Sequence, residues 1–176
     1  MTVSEKRRIR ETEILGVLAK GGIMTAEQLW KLNVSGFRSG SVRNVHRVLR
    51  EMENNREIIS KRVDRKLYAL PGSRFGFWEH RLALIDFLIK KKWFDIAKLE
   101  IPVKKNGEVI LKADAGVNIM GKWHFVEVDR RQKLKENRCK VRKYSEIDIE
   151  YELWVVCFRE RESFWRAHGV NIEFIN

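Results

Sequence analysis

The chain has 176 residues, 44% of them hydrophobic, and its formal net charge is +12. This length suits one ordinary domain or two small ones, and the apolar content excludes a chain that is disordered by composition. The excess of Lys and Arg favours a polyanionic partner, above all nucleic acid, because each cation that reaches a phosphate releases a counterion. No apolar run approaches the roughly 18 residues that span a membrane. Residues 1–10 also lack the apolar stretch of a signal peptide, so we expect a cytoplasmic protein without a membrane partner.

Residues 1–72 contain helical patterns followed by a strand pair. Thr25 and Gln28 have the spacing of a capping box, in which each residue satisfies a backbone N–H of the other. Ser41 is the expected N-cap of a helix that is apolar on one side only. Helix, helix, helix and hairpin is the order of a winged helix-turn-helix. We expect helices over 4–20, from Thr25 and over 41–54, and strands over 58–63 and 66–70 with a turn near 64–65.

The second half alternates strands and helices, which predicts an α/β or α+β domain with a mixed sheet. Asn106-Gly107 between two apolar runs indicates a tight hairpin. Pro-Gly-Ser at 71–73 marks a boundary, so the predicted domains are 1–72 and 76–176. We expect helices over 78–92 and 133–147, strands over 98–104, 108–114, 123–129 and 153–158, and then a short helix and a last strand at 170–174.

The chain contains two cysteines, Cys139 and Cys157. Their spacing fits neither a zinc site nor a disulfide framework. Both lie in segments that are predicted to be folded, and we expect two buried thiols.

The helix predicted over 41–54 carries cations on the side away from its apolar residues. Arg43, Arg47 and Arg50 share that side, and arginine can grip a phosphate or read guanine with two hydrogen bonds. The hairpin that follows adds cations suited to phosphates or to the minor groove. A solvated charged face and a protein–protein contact are the alternative interpretations. The candidate DNA-binding residues are Arg38, Arg43, Asn44, His46, Arg47, Arg50, Lys61, Arg62, Arg65 and Lys66.

Two carboxylates end a largely apolar strand, since period-two alternation places Glu127 and Asp129 on one face with Phe125. Buried carboxylates are costly unless they are paired, hydrated or metal-bound. Asp114 ends the preceding strand, so three oxygen donors could meet there, a set suited to Mg²⁺ or Mn²⁺ and to metal-assisted cleavage of DNA. A solvated strand edge, or ion pairs with the many cations at 130–143, explains the same residues without a metal.

Several segments, taken in order, resemble one known family. The chain is similar over about residues 14–158 to the replication-relaxation family, which occurs in plasmids, phages and conjugative elements. The resemblance depends on the order and spacing of the segments, because each one alone is unspecific. They are Ile-Leu at 14–15, Met-Thr-Ala-Glu-Gln-Leu at 24–29, Val-His-Arg-Val-Leu at 45–49, Leu-Tyr-Ala-Leu at 67–70, Glu-His at 79–80, Ala-Asp-Ala at 113–115, Phe-Val-Glu-Val-Asp-Arg at 125–130 and Lys-Val-Arg-Lys-Tyr at 140–144.

The resemblance implies a winged helix-turn-helix followed by a domain with the restriction-endonuclease-like PD-(D/E)XK fold. It would make Asp114 and Glu127 metal ligands in a catalytic site. The usual catalytic Lys, two residues after the Glu, is Asp129 in this chain, and Lys140 on the next helix could supply that charge instead. Similarity of fold does not establish chemistry, so the sequence leaves cleavage open.

These observations predict a sequence-specific double-stranded DNA-binding protein of a mobile element, acting in DNA replication, transfer or their regulation. The second domain would then be a DNA clamp or a dimerisation platform. One alternative is a Mg-dependent DNA endonuclease or nickase, and another is a protein–protein adaptor. Many helix-turn-helix proteins bind as dimers, so a homodimer and contacts with replication or transfer proteins are further expectations.

Overall fold

The computed structural model describes residues 2–34, 40–130 and 133–175. Contacts between residues divide the chain into two compact units, 1–89 and 90–176. The sequence predicted a domain boundary between residues 72 and 76. In the structure the boundary between the two units follows residue 89, and the helix over 78–90 is therefore grouped with the first unit rather than the second. The predicted mixture of helices with a mixed sheet is confirmed.

The first unit combines helices with a small antiparallel sheet. Its strands lie in the order β1-β3-β2, and the predicted hairpin is confirmed as the β2–β3 pair. Strand β1 was not predicted, because three residues are too few to show a period. The elements are α1 (Val3–Gly21), β1 (Ile23–Thr25), α2 (Ala26–Lys31), α3 (Val42–Asn54), β2 (Ile59–Arg62), β3 (Lys66–Ala69) and α4 (Trp78–Lys90).

Capping hydrogen bonds fix where α2 begins. The Gln28 backbone N–H donates to Thr25 Oγ1 at 3.2 Å, and the Thr25 N–H donates to Gln28 Oε1 at 3.1 Å, so the predicted capping box is confirmed. Gln28 Nε2 also donates to the Leu82 carbonyl at 3.1 Å and thereby ties α2 to α4. Ser41 is the N-cap residue of α3 as predicted, although its side chain makes no capping hydrogen bond.

The second unit is built on one five-stranded sheet in the order β4-β5-β6-β7-β8. The first three strands form an antiparallel meander, whereas β6, β7 and β8 run parallel. A parallel pair needs a crossover connection, which α5 supplies between β6 and β7 and α6 supplies between β7 and β8. The elements are β4 (Lys98–Lys105), β5 (Glu108–Ile119), β6 (Lys122–Asp129), α5 (Leu134–Tyr144), β7 (Tyr151–Cys157), α6 (Glu162–Arg166) and β8 (Asn171–Phe174), with a 3₁₀ turn at 159–161 between β7 and α6.

One face of this sheet forms the core of the second unit. Phe125 and Val155 on the sheet pack in one cluster with Tyr144 of α5 and Trp165 of α6. Trp165 is only 1% exposed, and burial of so large an aromatic side chain contributes a few kcal/mol, at about 25 cal/mol per Å² of apolar surface. The core therefore holds α5 and α6 firmly against the strands that carry the predicted carboxylates.

The two thiols differ in their surroundings. Cys157 at the end of β7 is buried as predicted, but Cys139 on α5 is exposed, so the prediction of two buried thiols is wrong. A short helix with one buried side leaves the rest of its residues in solvent, and Cys139 lies on that outer side. None of the helices in the described parts of the chain combines the length and apolarity that crossing a bilayer requires.

Candidate functional site

Helix α3 buries one side and leaves the other in solvent. Val45, Val48, Leu49 and Met52 recur at spacings of three and four residues and are all buried. This spacing is one face of a helix of 3.6 residues per turn. The polar residues between them are therefore directed away from the core of the first unit.

Three arginines occupy the outer side of α3, as the sequence predicted. Arg43, Arg47 and Arg50 are all exposed. Arg47 Nη1 lies 3.4 Å from Glu51 Oε1, a surface pair worth at most about 1 kcal/mol. Neither Arg43 nor Arg50 forms an ion pair with any residue in the described parts of the chain. Their guanidinium groups are thus available to an external anion at little cost.

The remaining candidates on and before α3 differ in their placement. Asn44 and His46 are exposed and flank the arginines. His46 Nδ1 lies 3.2 Å from the hydroxyl of Tyr68 on β3, which links the helix to the hairpin. Arg38 lies outside the described residues.

The β2–β3 hairpin carries the other predicted cations, and two of them are already in ion pairs. Arg65 Nε lies 3.4 Å from Asp64 Oδ2 in an exposed pair, and Lys66 is bound to α3. Lys61, Arg62 and Arg65 are exposed at the end of the hairpin. Lys66 is half-buried, and its Nζ lies 2.6 Å from Glu53 Oε2 on α3. The hydrogen bond from Lys66 and a second from Ser60 Oγ, also at 2.6 Å, lower the pKa of the Glu53 carboxyl group. Lys66 therefore fixes the hairpin to α3 rather than offering a free charge.

In the second unit, two of the predicted carboxylates, Asp114 and Glu127, lie on the neighbouring strands β5 and β6. The prediction that Asp114 ends its strand is wrong, because β5 continues to Ile119 and Asp114 lies in its middle. Ala115 pairs with Val126, which brings Asp114 and Glu127 to neighbouring positions on the two strands. The backbone N–H of Val128 donates to Asp114 Oδ2 at 2.8 Å. Glu127 is 2% exposed, and such burial requires that its charge be compensated.

Two side chains of α5 compensate Glu127. The Tyr144 hydroxyl donates to Glu127 Oε1 at 2.7 Å, and Lys140 Nζ contacts Glu127 Oε2. Burial first, and then the charge of Asp114, raise the pKa of Glu127 to about 7, against the opposing effects of Lys140 and Tyr144. Burial lowers the pKa of the Lys140 ammonium, but attraction to Glu127 outweighs that effect and the pKa is raised. Lys140 thus stays protonated beside Glu127.

Asp129 is buried and makes a separate set of contacts. Its Oδ2 accepts hydrogen bonds from Asn137 Nδ2 at 2.7 Å and from Trp165 Nε1 at 2.9 Å. These bonds join the end of β6 to both α5 and α6. The sequence had assigned no role to Asn137, Tyr144, Trp165 or Glu53. Tyr144 lies four positions after Lys140 and therefore on the same side of α5, and this spacing is the signal in the sequence that could have indicated its contact with Glu127.

The oxygen donors of Asp114 and Glu127 suit Mg²⁺ or Mn²⁺. Both oxygens of Glu127 accept hydrogen bonds from protein side chains. In the described ranges, no group of three or more His, Cys, Asp or Glu side chains is placed to hold an ion. A cation at this pair would have to displace Lys140, and a metal role for Asp114 and Glu127 stays a prediction.

Comparison of the chain with protein-family models, with curated proteins and with solved structures finds no match. No relative's activity can therefore be transferred to this chain. The proposed function depends on the residues of the α3–hairpin surface and of the carboxylate site.

Proposed function

We propose that this protein is a sequence-specific double-stranded DNA-binding protein and that its first unit is a winged helix-turn-helix. The element order α1-β1-α2-α3-β2-β3 and the sheet order β1-β3-β2 support this assignment. The observation that carries the proposal is the exposure of Arg43, Arg47 and Arg50 on one side of a helix whose other side is buried. In this unit α3 is the recognition helix and the β2–β3 hairpin is the wing.

The chemistry of this surface matches duplex DNA. The major groove of B-DNA is about 12 Å wide and admits one α-helix. Arginine side chains on the inserted helix bind guanine O6 and N7 or backbone phosphates. Lys61, Arg62 and Arg65 on the wing bind phosphates beside the helix, where they set orientation rather than sequence preference.

The biological setting comes from the sequence resemblance. We infer that the protein acts in the cytoplasm on the DNA of a plasmid, phage or conjugative element, in replication, transfer or their regulation. A homodimer would place two α3 helices one helical turn apart on a palindromic site. Replication or transfer proteins are the protein partners that this setting suggests.

The second unit supports a second candidate function, a Mg-dependent DNA endonuclease or nickase. The resemblance implies a PD-(D/E)XK domain, and the mixed sheet, with an antiparallel meander followed by a parallel strand after α5, supports that proposal. The observation that favours it is the contact of Lys140 with Glu127 beside Asp114. The engaged Glu127 oxygens and the replacement of the usual Lys by Asp129 favour DNA binding without cleavage.

Selection from a pool of random-sequence duplexes tests the proposed function. The full chain is incubated with the pool, and the bound duplexes are recovered and sequenced over several rounds. We expect enrichment of one motif, palindromic if the protein binds as a dimer. Binding without enrichment of any motif would overturn the sequence specificity, and the absence of binding even at low salt would favour a protein–protein adaptor.

A further inference from the structure

Helix α5 of the second unit has a polar outer side that no part of the carboxylate site uses. Its inner side consists of Asn137, Lys140 and Tyr144, whose bonds to Asp129 and Glu127 fix the rotation of the helix. The opposite side consists of Lys135, Arg138, Cys139 and Arg142, which are all exposed. These four positions follow the i, i+3, i+4, i+7 spacing of a single helix face.

The cations of this outer face are uncompensated. Lys135, Arg138 and Arg142 form no ion pair with any residue that the structure describes. Glu136 is the only acidic residue of α5, and it lies about 100° around the helix from Lys135. Three adjacent like charges without partners destabilise the helix slightly and gain energy when a polyanion approaches. This pattern contrasts with β4, where Lys105 is paired with Glu146.

We propose that the outer face of α5, defined by Lys135, Arg138, Cys139 and Arg142, is a second DNA-contact surface that binds the phosphate backbone of a duplex without reading bases. The seven residue steps from Lys135 to Arg142 span about 10 Å at 1.5 Å per residue. B-DNA carries about one phosphate charge per 1.7 Å of helix axis with both strands counted, so a face of this length meets several phosphates, enough for each of its three cations. Each of the three cations can bind a phosphate oxygen, and such contacts position a duplex independently of its sequence.

Our choice of duplex DNA over other polyanions depends on the proposed function of the first unit. The cationic surface itself is inferred only from the exposed side chains of α5. An anionic membrane would be attracted by the same charges, but the only large apolar side chain of α5 that is exposed beside this face is Leu134, and insertion of a helix into a bilayer needs an extended apolar face. This composition favours a hydrated phosphate backbone.

The first test compares two variants of the full chain that lose the same charge. One carries Lys135→Gln, Arg138→Gln and Arg142→Gln, and the control carries Lys92→Gln, Lys98→Gln and Lys104→Gln at exposed positions outside α5. Affinity for a duplex of mixed sequence is measured by fluorescence anisotropy over a range of salt. The logarithm of the binding constant falls linearly with the logarithm of the salt concentration, with a slope of about 0.9 per phosphate contact. We expect the magnitude of this slope to be smaller by roughly 3 in the α5 variant and to stay near the wild-type value in the control. Equal losses in both variants would overturn the proposal.

The second test uses Cys139 as a native reporter, since Cys139 is exposed while Cys157 is buried, and we expect the buried thiol to react far more slowly. The rate of Cys139 alkylation is measured with and without saturating duplex. A slowing of several-fold supports the surface, and an unchanged rate overturns it. Protection by vesicles containing anionic lipid, without protection by duplex, would also overturn it.

Failure of the surface and failure of the proposed function give different results. If Arg43→Ala and Arg50→Ala leave the affinity for DNA unchanged while duplex still protects Cys139, the recognition helix is misassigned and the α5 surface stands. If the two α3 substitutions weaken binding and Cys139 is not protected, the α5 surface is overturned and the proposed function stands.

Discussion

The carboxylate of Glu53 on α3 is bound by Lys66 on β3, with Glu53 Oε2 2.6 Å from Lys66 Nζ. The other Glu53 oxygen accepts a hydrogen bond from Ser60 Oγ on β2. One side chain of the helix therefore contacts both strands of the hairpin. In the proposed function these contacts set the angle between recognition helix and wing.

Replacement of Glu53 should loosen the hairpin. Glu53→Ala removes a half-buried ion pair and a hydrogen bond, and we expect it to lower the free energy of unfolding by on the order of 1 kcal/mol in urea titrations. The binding of DNA should weaken as well, because the wing loses its fixed position. Glu53→Gln is the control, since it retains an acceptor for Ser60. Its free energy of unfolding should lie between those of wild type and the Ala variant. Wild-type stability in the Ala variant would show that the hairpin is held by its backbone alone.

The buried Glu127 should make stability depend on pH in an unusual direction. Its pKa is raised to about 7 in the fold, whereas an unfolded Glu titrates near about 4.3. The uncharged form is favoured in the fold, so its contribution is fully present below the unfolded pKa and is lost as pH rises through about 7. As the pH rises from about 4.3 to about 7, the free energy of unfolding should fall by on the order of 4 kcal/mol, and Glu127→Gln should remove that fall. A variant with the same pH profile as wild type would contradict a raised pKa for Glu127.

Asp129 should act as a structural anchor. Asp129→Ala leaves Asn137 Nδ2 and Trp165 Nε1 buried without their acceptor, which should cost about 3 kcal/mol of unfolding free energy. Loss of Trp165 near-UV circular dichroism should accompany the change. Glu173→Ala, at a half-buried carboxylate elsewhere in the same unit, is the matched control. A stability loss no greater than that of the control would mean that other contacts hold α5 and α6.

The endonuclease alternative makes its own prediction for supercoiled plasmid. The proposed function predicts that the plasmid stays supercoiled with Mg²⁺ or Mn²⁺, because both Glu127 oxygens are engaged by Lys140 and Tyr144. Gel electrophoresis separates the supercoiled, nicked and linear forms. Nicking that disappears in both Glu127→Ala and Lys140→Ala would instead establish the enzyme.

Most of the fold could be predicted from the sequence because its signals are local. The capping box at Thr25, the one-sided apolar pattern of α3 and the Asn106-Gly107 turn each depend on neighbouring residues, and each is confirmed. Strand β1 is too short to show a period. The grouping of α4 with the first unit depends on contacts such as Gln28 with Leu82, which are distant in sequence.

The candidate site was predictable in part. The exposure of the α3 arginines was predictable, because the helix period fixes which side each residue faces. Lys140 was proposed for this site only through the family resemblance, and its contact with Glu127 is a finding of the structure. The engagement of Lys66 by Glu53 was not foreseen, since it joins two elements through side chains whose reach the sequence does not specify. The bonds of Asp129 to Asn137 and Trp165 depend on tertiary packing in the same way.

The affinity of the Arg43→Ala, Arg50→Ala double variant for the selected duplex tests the central claim most directly. The matched control is Lys6→Ala, Arg8→Ala, which removes two exposed cations from α1. If α3 is the recognition helix, the first variant should bind at least about 30-fold more weakly, since each base-reading arginine contributes about 1–3 kcal/mol, while the control stays near wild type. Equal affinities of wild type and the α3 variant would contradict the account.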